Sequence, residues 1–200
     1  MKAIMVTEPT VKTTSVTLLE RVRSGDEEAW HRLFNLYGPL VLHWCERWGV
    51  TGPDADDVRQ DVFRAVAGGL ENFKRDRPGD TFRGWLRIVT RSKLINHLQR
   101  QQKHPEAQGG TDAQLKFQQI AEQELPEDSP EDISALYHRA LELVRQEFEV
   151  STWQAFWRAA VEGQSPAIIA TEMGVTSAAV RKAKSRVLNR LREELGDLIA

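Results

Sequence analysis

The stretch that decides the fold, residues 165–192, reads SPAIIATEMGVTSAAVRKAKSRVLNRLR. Ser165 followed by Pro166 is typical of a helix start, because serine caps a free backbone N–H and proline needs no donor there. Small Ala170 suits a close helix crossing, and Gly174 four residues later permits a turn with positive φ. The stretch therefore predicts a helix-turn-helix.

The second helix of this motif carries its charge on one side. Thr176 or Ser177 would cap it, and its apolar stripe consists of Val180, Val187, Leu191 and Leu195. Six basic residues and no acidic one lie from Arg181 to Arg192. Such a helix can rest on a scaffold and face phosphates. A solvated helical hairpin is the alternative, but turn chemistry, spacing and charge together favour DNA binding.

The composition indicates one large domain or two small ones. The chain has 200 residues, of which 40% are hydrophobic and 28% charged, with a net charge of −2. DNA binding must therefore come from local segregation of charge. Cys45 is the only cysteine, which excludes an intrachain disulfide and a cysteine-based zinc site. No apolar run reaches membrane-spanning length and no signal peptide is recognisable, so we expect a cytoplasmic protein without a membrane partner.

Helical periodicity runs through most of the chain, so we predict an all-α fold. Two small helical domains would be joined by an acidic, flexible linker with eight acidic residues and one basic residue. The expected divisions are a disordered tail, an N-terminal domain, the linker and the helix-turn-helix domain, at residues 1–14, 15–103, 104–132 and 133–200.

Two helices of the N-terminal domain have distinctive polar faces. The outer face of the helix Asp54–Leu70 consists of Asp57, Gln60, Asp61 and Arg64. Its carboxylates lack the histidine partners or the glycine-containing loop that metal motifs usually carry, so a metal site is disfavoured. The helix Phe82–Gln102 contains no acidic residue. Its cations could follow phosphates while aromatic rings stack on bases. For Trp85, an ordinary core position is an equally good interpretation.

Four motifs, in this order and spacing, resemble the extracytoplasmic-function (ECF) sigma factors of bacterial RNA polymerase. They are SGDEEAWHRLFNLYGPLV at residues 24–41, DADDVRQDVF at 54–63, TFRGWLRIVTRSKLINHLQRQQ at 81–102, and EGQSPAIIATEMGVTSAAVRKAKSRVLNRLREEL at 162–195. The resemblance implies a promoter-specificity subunit that binds core RNA polymerase and promoter DNA. It implies no catalysis, metal, cofactor or small-molecule substrate, and makes an anti-sigma protein a further candidate partner.

The resemblance also implies which residues make each contact. Core polymerase would be bound by Asp57, Gln60, Asp61 and Phe63. The minus-ten element would be read and opened by Lys74, Arg83, Trp85, Arg87 and Arg91. The minus-thirty-five element would meet the exposed side of the last helix, at Ser177, Arg181, Lys182, Ser185 and Arg186. The acidic linker would run toward the RNA path, where its charge could mimic nucleic acid.

Two positions depart from the family pattern. Ser92 stands where asparagine is usual, and Asn96 where aspartate is usual. The departures leave the fold assignment intact and put the minus-ten preference in question. The alternative function is a stand-alone helix-turn-helix regulator, which would have no need of the DADDVRQDVF helix.

Overall fold

A computed structural model describes residues 15–74, 76, 80–102 and 129–195. The predicted all-α class is confirmed, because every regular element there is helical. The α-helices are α1 (Ser15–Arg23), α2 (Glu27–Arg47), α3 (Pro53–Gly69), α4 (Phe82–Gln102), α5 (Pro130–Arg145), α6 (Val150–Ala160), α7 (Pro166–Met173) and α8 (Ser177–Leu195). The predicted tail and nearly all of the predicted linker lie outside the described residues.

The first compact unit lies within Leu18–Phe148 and is built around α2, α3 and α4, which pack on one another. Asp26 caps α2 by accepting a hydrogen bond from the Ala29 N–H. Pro53 begins α3, and two aspartates of its first turn face the positive end of the helix dipole. The largest side chains that these three helices bury completely are Trp44, Phe82, Leu33, Leu36, Leu86 and Leu94.

Arg23 fixes the segment that leaves α3. Its guanidinium donates to the carbonyl oxygens of Leu70 (3.1 Å) and Phe73 (2.6 Å), at the two ends of a short 3-10 turn, Leu70–Asn72. The Leu70 carbonyl also accepts the Phe73 N–H at 3.2 Å, so Arg23 adds a second donor there and ties the turn to the end of α1. Lys74 follows immediately and is exposed.

Helix α5 belongs to this first unit, although the sequence analysis assigned residues from 133 onward to the C-terminal domain. It also begins earlier than expected, because Ser129 and Asp132 form a reciprocal capping box around Pro130. Leu136, Ala140 and Val144 are buried on its inner face, and α2 is the helix it packs against. The amphipathic pattern predicted the helix correctly, but such a pattern does not say which surface will cover the apolar stripe.

The second unit lies within Glu149–Ala200 and contains α6, α7 and α8. Ser165 caps α7 by accepting from the Ile168 N–H, and Gly174 ends it at φ 66° and ψ 30°, as predicted. Thr176 is the residue that caps α8, since its hydroxyl accepts from the Ala179 N–H at 3.1 Å. The helices close on a core of small side chains, consisting of Ala155, Ala159, Ile169, Ala170, Val180 and Ala183.

Three details of this unit differ from what its residue pattern predicts, namely an N-cap at Ser151 and buried side chains at Ile168 and Val161. Helix α6 begins at Val150 without a side-chain cap, so Ser151 is not its N-cap. Ile168 is 53% exposed while its neighbour Ile169 is fully buried. Val161, expected to face inward, is 55% exposed. Short helices contact their neighbours over a narrow stripe, so the apolar spacing alone overstated how many of these side chains are covered.

Candidate functional site

The outer face of α3 presents three of the residues predicted to bind a partner. Asp57 and Gln60 are exposed, and Asp61 one turn on is partly buried. Arg64 donates to Asp61 at 2.6 Å and to Gln60 at 3.2 Å along the same helix. Asp57 makes no ion pair within the described part of the chain, so its charge remains available to a partner.

Asp61 also connects α3 to α4. Its second carboxylate oxygen accepts a hydrogen bond from Arg100 at 2.7 Å. That bond is the main reason why the pKa of Asp61 is lowered; burial opposes it, and the charges of Arg100, Arg64 and Lys93 lower the pKa further. An open polar cleft of about 350 Å³ lies here, lined by Asp57, Gln60, Asp61, Arg64, His97, Arg100 and Gln101. Sequence reasoning missed the Asp61–Arg100 pair, because residues 39 apart carry no local signal of contact.

Phe63, the fourth residue predicted to bind the polymerase, lies in the core. It is 4% exposed, and its ring contacts the rings of Phe34 (centroids 4.7 Å apart) and Trp30 (6.1 Å). Arg59 lies over the outer side of Phe34, 5.2 Å from its centroid. Packing in the first unit therefore accounts for Phe63, and its contact with the polymerase stays a prediction.

Helix α4 has a row of arginines on one side. Arg83, Arg87 and Arg91 recur every four residues and so share a face, and each is half-buried. Thr90 is completely buried on the inner side, where its hydroxyl donates to the Leu86 carbonyl at 2.8 Å. Ser92 and Asn96 are exposed. The helix thus combines a fixed inner side with a cationic outer surface.

Trp85 belongs to an aromatic cluster. Its ring centroid lies 5.2 Å from that of Phe73 and 5.7 Å from that of Phe82, and Phe82 also contacts Tyr37. The indole additionally covers Gly69 at the end of α3. Trp85 is still half-exposed. The cluster anchors the start of α4, which supports the packing interpretation of Trp85 more than a freely stacking ring.

Helix α8 separates its inner and outer residues cleanly. Val180, Val187 and Leu191 are buried, whereas Arg181, Lys182, Ser185 and Arg186 are exposed and Ser177 is half-buried. The structure thus brings the five predicted residues to the outer side of the first three turns. That is where a recognition helix carries its base and phosphate contacts.

Two other cations of α8 point inward. Lys184 donates to the Ala159 carbonyl at 3.3 Å, and Arg190 pairs with the buried Glu194 at 2.8 Å. Arg190 is only 17% exposed. As one of the six basic residues of this helix, Arg190 would be expected to contact a phosphate, but its ion pair with Glu194 instead stabilises the end of the helix.

Comparison with known proteins finds sigma factors similar to this chain. The family model described as Sigma-70 region 2 matches residues 33–104, which hold most of α2 and all of α3 and α4. The chain is 27% identical over 180 residues to the RNA polymerase sigma factor CarQ of Myxococcus xanthus, covering 90% of this chain and 97% of that protein. It is 32% identical over 77 residues to the sigma factor CnrH of Cupriavidus metallidurans, covering 38% and 39%.

A third similar protein is the sigma factor NccH of Alcaligenes xylosoxydans xylosoxydans, 30% identical over 89 residues that cover 44% of this chain and 45% of that one. The chain is thus similar to RNA polymerase sigma factors, in agreement with the resemblance of its four motifs to the ECF group. These similarities support the predicted sigma factor function in transcription initiation. The region-two match includes all the residues predicted to contact the polymerase or the minus-ten element, from Asp57 to Arg91.

A second open cleft, of about 520 Å³, lies where α1, the start of α2 and the end of α3 meet. No three His, Cys, Asp or Glu side chains gather as metal ligands within the described residues. None of the described helices has the length and apolarity needed to cross a bilayer. Cys45 is fully buried, and burial raises the pKa of its thiol to about 12, so it is a structural residue.

Proposed function

We propose that this chain is an ECF sigma factor and that it binds core RNA polymerase through the exposed polar face of α3. Asp57, Gln60 and Asp61 form this face, and the acidic first turn of α3 extends it. Carboxylates on the rim of an interface speed association with a basic partner and disfavour wrong partners. The observation that carries the proposal is the contrast between this exposed face and the buried stripe of Val58, Val62 and Val66 beneath it.

We further propose that α4 and α8 contact promoter DNA. The arginine row of α4, together with exposed Lys74, would guide the strand that separates at the minus-ten element. Duplex opening must capture unstacked bases, at a cost of a few kcal/mol per base. The outer side of α8 would enter the major groove at the minus-thirty-five element. The protein would act in the cytoplasm without catalysing a reaction itself, and an anti-sigma protein would be a further partner.

A charge reversal at Asp57 tests the polymerase contact. Asp57→Arg should weaken binding to core polymerase about tenfold, ~1.4 kcal/mol, because it places a cation against a basic partner surface. Glu46→Arg is the matched control: it reverses one exposed charge of the same unit on α2. Affinity is measured with fluorescently labelled full chain and core polymerase. An equal loss of affinity in the two variants, or no loss in Asp57→Arg, would contradict the assignment of this face to polymerase binding.

The alternative of a stand-alone helix-turn-helix regulator predicts a different result. Such a protein would bind its operator without polymerase and would be indifferent to substitutions on α3. Gel filtration of the chain with core polymerase separates the two functions, since only a sigma factor co-elutes.

A further inference from the structure

The carboxylate of Asp61 is already occupied by cations of this chain. One oxygen lies 2.6 Å from an Arg64 nitrogen and the other lies 2.7 Å from an Arg100 nitrogen. Asp57, one turn earlier on the same face, has no such pair within the described residues. Adjacent turns of α3 therefore present one available carboxylate and one engaged carboxylate.

The two cations at Asp61 differ in origin. Arg64 lies on the same helix, three residues away, and moves with Asp61. Arg100 reaches over from α4, where its Nε also contacts the Asn96 carbonyl at 3.3 Å, and its side chain is 62% exposed. Exposed ion pairs of this kind are weak and exchange readily. Arg100 is thus the cation that an incoming partner can displace at small cost.

The surroundings of the pair fit a polar partner. All seven residues lining the adjacent cleft are polar, and the cleft is open to solvent. The low pKa of Asp61 keeps the carboxylate charged at neutral pH. A guanidinium or ammonium group entering beside Gln60 would find the same carboxylate oxygen that Arg100 now holds.

We propose that Arg100 is a built-in competitor for the polymerase contact, which an arginine or lysine of core polymerase displaces from Asp61 when the sigma factor binds. This inference rests on the proposed function of α3 and assigns a role to a residue of α4. Arg100 does not build the interface but weakens it. Core binding then trades one ion pair within the chain for one across the interface.

Removal of Arg100 tests this directly. Arg100→Ala should tighten binding of labelled full chain to core polymerase about two- to fivefold, the range expected for losing one competing exposed pair. Arg100→Lys keeps the charge and should bind nearly as the wild type does. Arg145→Ala, which removes an exposed cation of α5, is the control for net charge.

A double-mutant cycle identifies the carboxylate involved. The gain from Arg100→Ala should vanish in an Asp61→Asn background and persist unchanged in an Asp57→Asn background. An unchanged or weakened affinity of Arg100→Ala, or a gain that survives Asp61→Asn, would overturn the competitor role. Failure of the α3 contact itself shows differently, because Asp57→Arg would then leave core binding intact.

Discussion

Asp132 of α5 holds His43 of α2, with 2.8 Å between the carboxylate oxygen and Nε2. The same carboxylate lies 3.5 Å from Arg47 and accepts the Ser129 N–H at 2.9 Å. Asp132 is 8% exposed, so it is a buried charge, compensated by two side chains of α2 and by the N-cap backbone of its own helix. A contact that caps one helix and pairs with another explains how α5 is fixed on the first unit.

We expect Asp132→Ala to loosen α5 selectively. The substitution removes one half of the capping box and two cation contacts, at a cost of at least ~1 kcal/mol. Hydrogen exchange of residues 130–145 should become several-fold faster, while exchange of α8 stays unchanged. Glu131→Ala is the control, since Glu131 is its exposed neighbour in the same turn. Equal effects of the two substitutions would contradict this account of the pair.

Low pH should weaken the attachment of α5 to the first unit. Burial raises the pKa of Asp132, but the hydrogen bonds from Ser129 and the charges of His43 and Arg47 outweigh it, and the pKa lies below its usual value. Such a carboxyl stabilises the folded state above its unfolded pKa of about 3.9, and this contribution is lost as pH falls through the folded pKa. Protection of residues 130–145 should therefore decline below about pH 4. Asp132→Asn should show a flatter decline.

Arg87→Ala should reduce promoter opening more than initial promoter binding. Arg87 lies in the middle of the arginine row of α4, where it would guide the separated strand rather than the closed duplex. Permanganate footprinting reports opening and gel shift reports closed-complex binding. Lys93→Ala removes the same charge elsewhere on α4 and should affect opening less. Parallel losses in opening and binding for Arg87→Ala would argue against a melting role.

Arg181→Ala should change the base preference of DNA binding, whereas Lys182→Ala should change its overall affinity. Arg181 is exposed near the start of α8 and can pair bidentately with guanine, which is worth ~1–3 kcal/mol of discrimination. Its loss should relax preference at one upstream base pair. Lys182→Ala should weaken binding to all DNA sequences alike. It should also reduce the slope of log affinity against log salt concentration by about 1. Binding-site selection on each variant checks this, and the reverse pattern would mean that α8 sits differently in the groove.

Gly174→Ala and Gly68→Ala should have opposite effects on stability. A Cβ meets no atom within 4 Å at either position, so the backbone decides. Gly174 has φ +66°, and alanine there should destabilise the second unit by about 1 kcal/mol. Gly68 lies inside α3, where alanine should stabilise the first unit by about 0.5–1 kcal/mol. Urea unfolding, followed separately for each unit by hydrogen exchange, measures the two values.

Most of the helices were predicted from local sequence signals, such as caps and turn residues. Ser165 and Gly174 act where the sequence placed them, because caps and left-handed turns depend on neighbours within a few residues. The outer positions of α8 followed from its helical period. The motif did not predict which of the site residues are buried, as the core position of Phe63 shows.

The sequence by itself determined the all-α class, the helix positions and the two cationic helices, since periodicity and capping are properties of short segments. Only the tertiary structure decided that α5 packs on α2 and that Arg100 reaches Asp61. These contacts join residues 39 or more positions apart, such as Arg139, which donates to the Leu36 carbonyl at 3.2 Å across 103 positions. An amphipathic stripe specifies that a surface must be covered, but the shape and charge of the available surfaces decide which one covers it.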